Sequence, residues 1–128
     1  MAVDKGIRVL IVDDYQTMRG VIRNLFNLIG FENTVEAGTT GEALEILKKG
    51  GCGLVIFDWR TGPMPGEDFL KTVRADETVK DIPFIVVSAE SNDELTDVMR
   101  RAGAADFIAK PFTKATLEKR LTALFGEM

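Results

Sequence analysis

Five polar residues stand where short apolar runs end. Asp13 and Asp14 follow IRVLIV (7–12), Asp58 follows LVIF (54–57), Ser88 follows PFIVV (83–87) and Lys110 follows DFIA (106–109). A carboxylate at the end of a buried strand is costly unless something compensates it. Three carboxylates brought together repel, so a cation should sit among them. A few oxygen donors suit Mg²⁺, which keeps several waters and holds phosphate oxygens. A hydroxyl and an ammonium opposite that ion would bind the remaining oxygens of a phosphoryl group. A carboxylate can itself be the nucleophile, giving an aspartyl-phosphate, and such transfer needs mostly positioning and charge neutralisation. Each residue alone has a simpler reading: Asp14 as a helix cap, Ser88 as a turn residue, Lys110 as a solvated loop cation. At the ends of four different runs those readings no longer suffice together.

The elements that must position these groups alternate from end to end. A fifth run, TVEA (34–37), lies between the first and second of five helical patterns. Three runs are continuously apolar and rich in Val and Ile, as strands covered on both faces must be. Between them, apolar stripes recur at helical spacing: Met18, Val21, Ile22, Leu25, Phe26 and Ile29; then Leu95, Val98, Met99 and Ala102; then Leu117, Leu121, Leu124 and Phe125. Shorter stripes sit at Ala43, Leu44 and Leu47 and at Phe69, Leu70 and Val73. Thr39–Glu42 and Ser91–Glu94 have capping-box spacing, Gly30 and Gly103 fall where helices should stop, and Pro65 suits a first helical turn. The pattern predicts an α/β fold, a (βα)5 unit with a parallel five-stranded sheet and right-handed crossovers, in one domain over residues 1–128. In such sheets ligands bind beyond the carboxyl ends of the strands. Those are the ends that carry the acids, the hydroxyl and the lysine.

Composition removes whole classes of function. Over 128 residues, 45% apolar and 28% charged content fit a globular domain. There is no histidine, so no Ser-His-Asp or Cys-His pair exists and a structural zinc site lacks its usual ligands. A net charge of −4 argues against nucleic acid as the main partner. The charge is uneven: residues 1–99 hold 10 basic and 17 acidic residues, residues 100–128 hold 6 and 3. That basic end is either a solvated helix face or a docking face for an acidic partner. A lone Cys52 allows no internal disulfide and is expected to be a passive thiol in a reducing compartment. No run approaches the ~20 apolar residues of a membrane span, so a cytoplasmic protein with no membrane partner is expected.

The motifs VDD (12–14), FDW (57–59), VSAE (87–90) and AKPF (109–112) together resemble the receiver domain of two-component response regulators, of the stand-alone CheY-like type, across residues 6–126. The resemblance implies the doubly wound, flavodoxin-like strand order 2-1-3-4-5. It implies Asp58 as phosphoacceptor, Asp14 as a direct Mg²⁺ ligand, Asp13 as a ligand through water, and the backbone carbonyl of Arg60 completing the metal site. Ser88 would bond the phosphoryl group and move with it, Lys110 would pair with it, and Lys110–Pro111 would be cis. The donor would be a histidine kinase, and the downstream target would dock on the face of helix 4, strand 5 and helix 5. The chain would be a monomer or weak dimer that turns over only its own aspartate, and chemotaxis is one process such domains serve.

Two departures stand out. The family commonly reads D-x-x-M-P-x-M-D-G after the phosphoacceptor; here residues 58–66 read DWRTGPMPG, which predicts a looser loop. Phe107 occupies the family's aromatic switch position without a phenolic hydroxyl. Arg60 and Glu90, two residues past Asp58 and Ser88, should flank the opening through which water reaches an aspartyl-phosphate, and an ion pair between them would tune its lifetime. Rival readings fit less well. DDYQTM after the first strand would repel a flavin phosphate, no GxxxxGK[ST] occurs, and a metal-dependent phosphatase usually carries a cap domain. A phosphorelay or phosphate-sink intermediate is the alternative within the same family, and a phosphorylation-independent pseudo-receiver the less favoured one.

Overall fold

A computed structural model of the chain describes residues 5–90 and 92–126. The elements alternate strictly: β1 (Arg8–Val12), α1 (Gln16–Ile29), β2 (Thr34–Ala37), α2 (Thr40–Lys48), β3 (Cys52–Asp58), α3 (Gly66–Ala75), β4 (Phe84–Ser88), α4 (Asp93–Ala102), β5 (Asp106–Ala109) and α5 (Lys114–Phe125). The five strands form one parallel sheet in the order β2-β1-β3-β4-β5, as the motifs implied.

Successive strand residues point to opposite faces, and both faces are apolar because both are covered. Val9, Ile11, Leu54, Ile56, Ile85 and Val87 pack with α1 and α5. Leu10, Val12, Val55, Phe57, Phe84 and Val86 pack with α2, α3 and α4. Burying five fully enclosed phenylalanines, Phe26, Phe31, Phe57, Phe69 and Phe84, contributes on the order of 2–3 kcal/mol each before entropy is counted. The sheet is therefore a stiff platform whose carboxyl edge holds its shape.

The helix ends follow sequence chemistry. Thr39 accepts the Glu42 amide at the start of α2, and Gly30 and Gly103 end α1 and α4 in left-handed conformation, with φ of 113° and 114°. Other boundaries differ from the expectation. Ser91 lies outside the described residues, and α4 is capped by Asn92, whose side chain accepts the Leu95 amide. Pro65 is the residue before α3, which begins at Gly66. Ile7 stays outside β1. Strand β3 starts at Cys52, earlier than its apolar run, with a register shift where Arg8 and Val9 pair with it.

Candidate functional site

Strands β3 and β4 end in Asp58 and Ser88, and β1 delivers Asp13 one residue beyond Val12. The Asp13 amide continues the ladder by donating to the Ala37 carbonyl (3.1 Å), so its position is fixed by the sheet. Its side chain is completely buried. One carboxylate oxygen accepts the Tyr15 amide (2.9 Å) and the other accepts Lys110 Nζ (3.0 Å). Lys110 Nζ also donates to Asp58 Oδ2, so one ammonium is shared by two acids from different strands. Asp58 Oδ1 accepts the Arg60 amide (2.9 Å), which leaves the acid held at both ends.

The electrostatics follow from this sharing. Burial pushes the Asp13 carboxyl above its usual range, the neighbouring Asp58 charge adds to that, and the Tyr15 amide and Lys110 oppose it. Burial works against the charge on Lys110, but its hydrogen bonds to Asp58 and Asp13 and their charges outweigh it, and its pKa is raised. Lys110 is thus held protonated between acids that need it.

Beside this core lies a cleft of about 340 Å³ lined by Asp14, Tyr15, Asp58, Arg60, Ala89 and Lys110. Asp14 is exposed there. Among the described residues no three acidic, histidine or cysteine side chains gather into a closed metal cage. The acids are instead divided, with Asp13 and Asp58 on Lys110 and Asp14 facing the cleft. Such an open, all-oxygen edge fits Mg²⁺, which binds through one or two carboxylates and keeps waters.

Of the remaining predicted residues Arg60 lines the cleft, whereas Ser88, Glu90 and Phe107 line a neighbouring cavity. Arg60 and Glu90 form an ion pair between the ends of β3 and β4, as their spacing suggested. The Ser88 hydroxyl accepts the Glu90 amide (3.1 Å) and lines a different space, a cavity of about 10 Å³ shared with Leu95, Thr96, Met99 and Phe107. Phe107 is half-buried, with the Arg100 guanidinium 5.8 Å from its ring centroid. Lys110–Pro111 is cis, as the resemblance implied, and so is Gly62–Pro63, which was not foreseen. The loop after Asp58, expected to be looser, is tied to α2. Gly62 accepts the Thr40 amide (3.0 Å), and the Met64 amide donates to Thr40 Oγ1 (3.2 Å).

Two contributors escaped the sequence reading. Tyr15 supports Asp13 through its backbone, which no side-chain pattern announces. Arg19 donates to the Asp13 carbonyl (2.7 Å), and only its place one turn past the acids hinted at this.

The same conclusion is reached by comparison with known proteins. The response regulator receiver domain family matches residues 9–122. The chain is 42% identical over 125 residues to the chemotaxis protein CheY-3 of Vibrio cholerae serotype O1, covering 98% of this chain and 96% of that one. The structure superposes on Vibrio cholerae chemotaxis protein CheY4 with a TM-score of 0.84 at 29% identity, over 92% of this chain and 98% of the other. It also superposes on the receiver domain of the sensor histidine kinase PA1611 from Pseudomonas aeruginosa PAO1, which has magnesium coordinated in its active-site cleft (TM-score 0.84, 23% identity, 95% and 99% covered). A strand-end acid set of this kind, inside a family match spanning residues 9–122, has one assignment: the chain belongs to the response regulator receiver domain family.

Proposed function

We propose that this response regulator accepts a phosphoryl group on Asp58 from a histidine kinase and signals through contacts on the α4–β5–α5 face. One observation carries the reading: a single ammonium, Lys110, bridges Asp58 and the buried Asp13 at the edge of an open cleft. In the reaction an Asp58 carboxylate oxygen attacks phosphorus, the bond from phosphorus to the donor nitrogen breaks, and the electron pair leaves with the imidazole. Lys110 would then pair with a phosphoryl oxygen in place of the Asp58 oxygen it now holds. Asp14 and Asp13, with the Arg60 carbonyl, would hold Mg²⁺. The bound ion would neutralise the charge that builds on the phosphoryl oxygens. Ser88, at the end of β4, is placed to swing from the Glu90 amide toward the phosphoryl group. Water attacking phosphorus in line would later break the bond to the Asp58 oxygen, releasing inorganic phosphate and returning the carboxylate, so the protein would turn over its own side chain and no separate substrate.

The output face is less basic than the chain's last residues suggested. Counted from Asp93 to Phe125, six Lys and Arg meet five Asp and Glu, because α4 begins with acids. A target there would be read by shape and by Phe107 more than by net charge. Among the described residues no helix is long and apolar enough to cross a membrane, and burial raises the pKa of the lone Cys52, opposed by the charge of Arg8. The test is intact mass after incubation with a small acyl-phosphate donor. One phosphoryl increment is expected with Mg²⁺, little without it, and none for Asp58→Asn. Persistent labelling of Asp58→Asn would overturn the assignment.

A further inference from the structure

We propose that Arg19 is a positioning residue that holds the Asp13–Asp14 peptide, and through it the acids, in register with Lys110. The inference rests on the reading of those acids as a metal site for one of its two tests only.

Arg19 lies one turn into α1, and its amide donates to the Tyr15 carbonyl (3.0 Å), so the helix fixes its backbone. Its guanidinium is mostly buried, with the side chain 17% exposed. Nη1 donates to the Asp13 carbonyl (2.7 Å) and Nε donates to Glu36 Oε1 (3.1 Å). The other oxygen of Glu36 accepts Arg23 Nη1 (2.8 Å), one turn further along α1. Glu36 stands opposite Ile11 in the ladder and therefore leaves the sheet on the α1 face, where Ile11 packs with Ile22 and Phe26. Edge strand β2 thus supplies a carboxylate that fixes the plane of one guanidinium, and that guanidinium fixes one peptide of the site. A Cβ added at Gly38 would stand 3.1 Å from Arg19 Nη1, so the turn after β2 leaves just enough room for this arrangement.

The consequence reaches both acids. The carbonyl Arg19 holds belongs to the peptide that joins Asp13 to Asp14. Turning that peptide would pull Asp13 Oδ1 from the Tyr15 amide and move the Asp14 side chain along the cleft. A lysine cannot replace the fork, because a single ammonium cannot hold the Asp13 carbonyl and Glu36 in the same planar geometry. Groups that orient ligating carboxylates typically change metal affinity by about 10–100-fold when removed.

The experiment compares wild type, Arg19→Met, Arg19→Lys and Glu36→Gln. Hydrogen exchange of the Tyr15 amide reports the geometry without metal, with the Phe26 amide as a core control. The fluorescence of Trp59, the only tryptophan and the neighbour of Asp58, reports Mg²⁺ binding. Arg19→Met should speed Tyr15 exchange about ten-fold while Phe26 is unchanged, and weaken Mg²⁺ by about ten-fold. Arg19→Lys and Glu36→Gln should fall between it and wild type. Unchanged Tyr15 exchange in Arg19→Met overturns the proposal, as does equal acceleration at Tyr15 and Phe26, which would show global loosening. If wild type itself gives no Mg²⁺ response, the metal reading fails and Tyr15 exchange alone decides the role of Arg19.

Discussion

At the scale of single residues, the site is organised by one cation. The side chains of Lys110, Asp13 and Asp58 are 15%, 0% and 10% exposed, so removing the ammonium leaves two facing carboxylates with little water. Lys110→Met should cost about 2 kcal/mol, below the ~3–5 kcal/mol of a sealed pair because the cleft admits solvent. Urea denaturation at neutral pH without divalent ions measures it. The pH dependence has a definite sign. A lysine whose folded pKa is raised contributes stability fully below its unfolded value, near 10.5, and loses it as pH rises through the folded value. Wild type should therefore lose more stability than Lys110→Met on the alkaline side, and parallel alkaline limbs would contradict this. The Arg60–Glu90 pair calls for a different readout. Its side chains are 67% and 53% exposed, so its worth in stability is at most ~1 kcal/mol. Arg60 lines the cleft and Glu90 holds its guanidinium from the end of β4, so on the proposed function the pair would act as a steric gate for water. Arg60→Ala and Glu90→Ala should each shorten the life of phospho-Asp58, and the double mutant should decay no faster than the faster single one, as groups acting together do. A dephosphorylation rate unchanged in both would remove the gate; a change in Arg60→Ala alone would mean direct contact with the phosphoryl group.

At the scale of elements, two glycines with the same φ separate local strain from packing. Gly30→Ala places a Cβ 3.0 Å from Lys5 Cδ, on a side chain tied by a single hydrogen bond from Nζ to the Ile29 carbonyl (2.9 Å), so the left-handed backbone dominates, at about 1–2 kcal/mol. Gly103→Ala places it 2.8 Å from Arg74 Cγ and Nε. Arg74 cannot yield, since it donates to the carbonyls of Gly103, Lys80 and Ile82 and lies 5.1 Å from the Phe84 ring centroid. Overpacking against that clasp raises the expected loss to roughly 3 kcal/mol. Equal denaturation midpoints for the two variants would refute the distinction. The same pair shows what a sequence can reveal. Both glycines were legible as helix stops, because left-handed caps leave a one-residue signature. Asp58 and Ser88 were legible because a strand buried on both faces reads as an apolar run, and the polar residue ending it must lie at the carboxyl edge; Lys110 follows a half-buried edge strand and was legible through the AKPF motif. Arg74 and Arg19 were not, because each looks like a solvated helix cation and each is held largely by backbone carbonyls, which no side-chain pattern announces. The start of β3 was hidden by Gly53, whose missing Cβ would sit 3.0 Å from Ile7 Cβ. A glycine there marks close approach of two segments, and in sequence that reads as a loop.

At the scale of the whole molecule, the question is how an event at Asp58 reaches the far side of β5. The carboxyl ends of β4 and β5 are coupled by the Lys110 amide donating to the Ser88 carbonyl (2.8 Å). Behind them, Ser88 and Phe107 face the same cavity of about 10 Å³. That is barely room for one water, far too little for a phenyl ring. On the proposed function, Phe107 would turn inward only if Ser88 left and α4 gave way, and the three movements would then be one transition between two packings and not a gradual drift. The sheet cannot absorb the change, since its core residues are close-packed on both faces. The yielding part would be α4, which presents Leu95, Thr96 and Met99 to the cavity while Gly103, at its C-cap, is clasped by Arg74. Motion should therefore be largest near Asn92 and smallest near Gly103. A phosphoryl analogue at Asp58 biases this equilibrium only by binding one packing better than the other. Amide chemical-shift changes on analogue binding should extend from the loops at Asp14, Asp58 and Lys110 into residues 92–98, Phe107 and α5, and should fade toward Gly103. Ser88→Ala should keep the changes near Asp14 and Asp58 but lose those at Phe107, since no hydroxyl remains to be drawn across. Changes confined to the three loops in wild type, or full propagation to Phe107 in Ser88→Ala, would show that the signal leaves the site by another route.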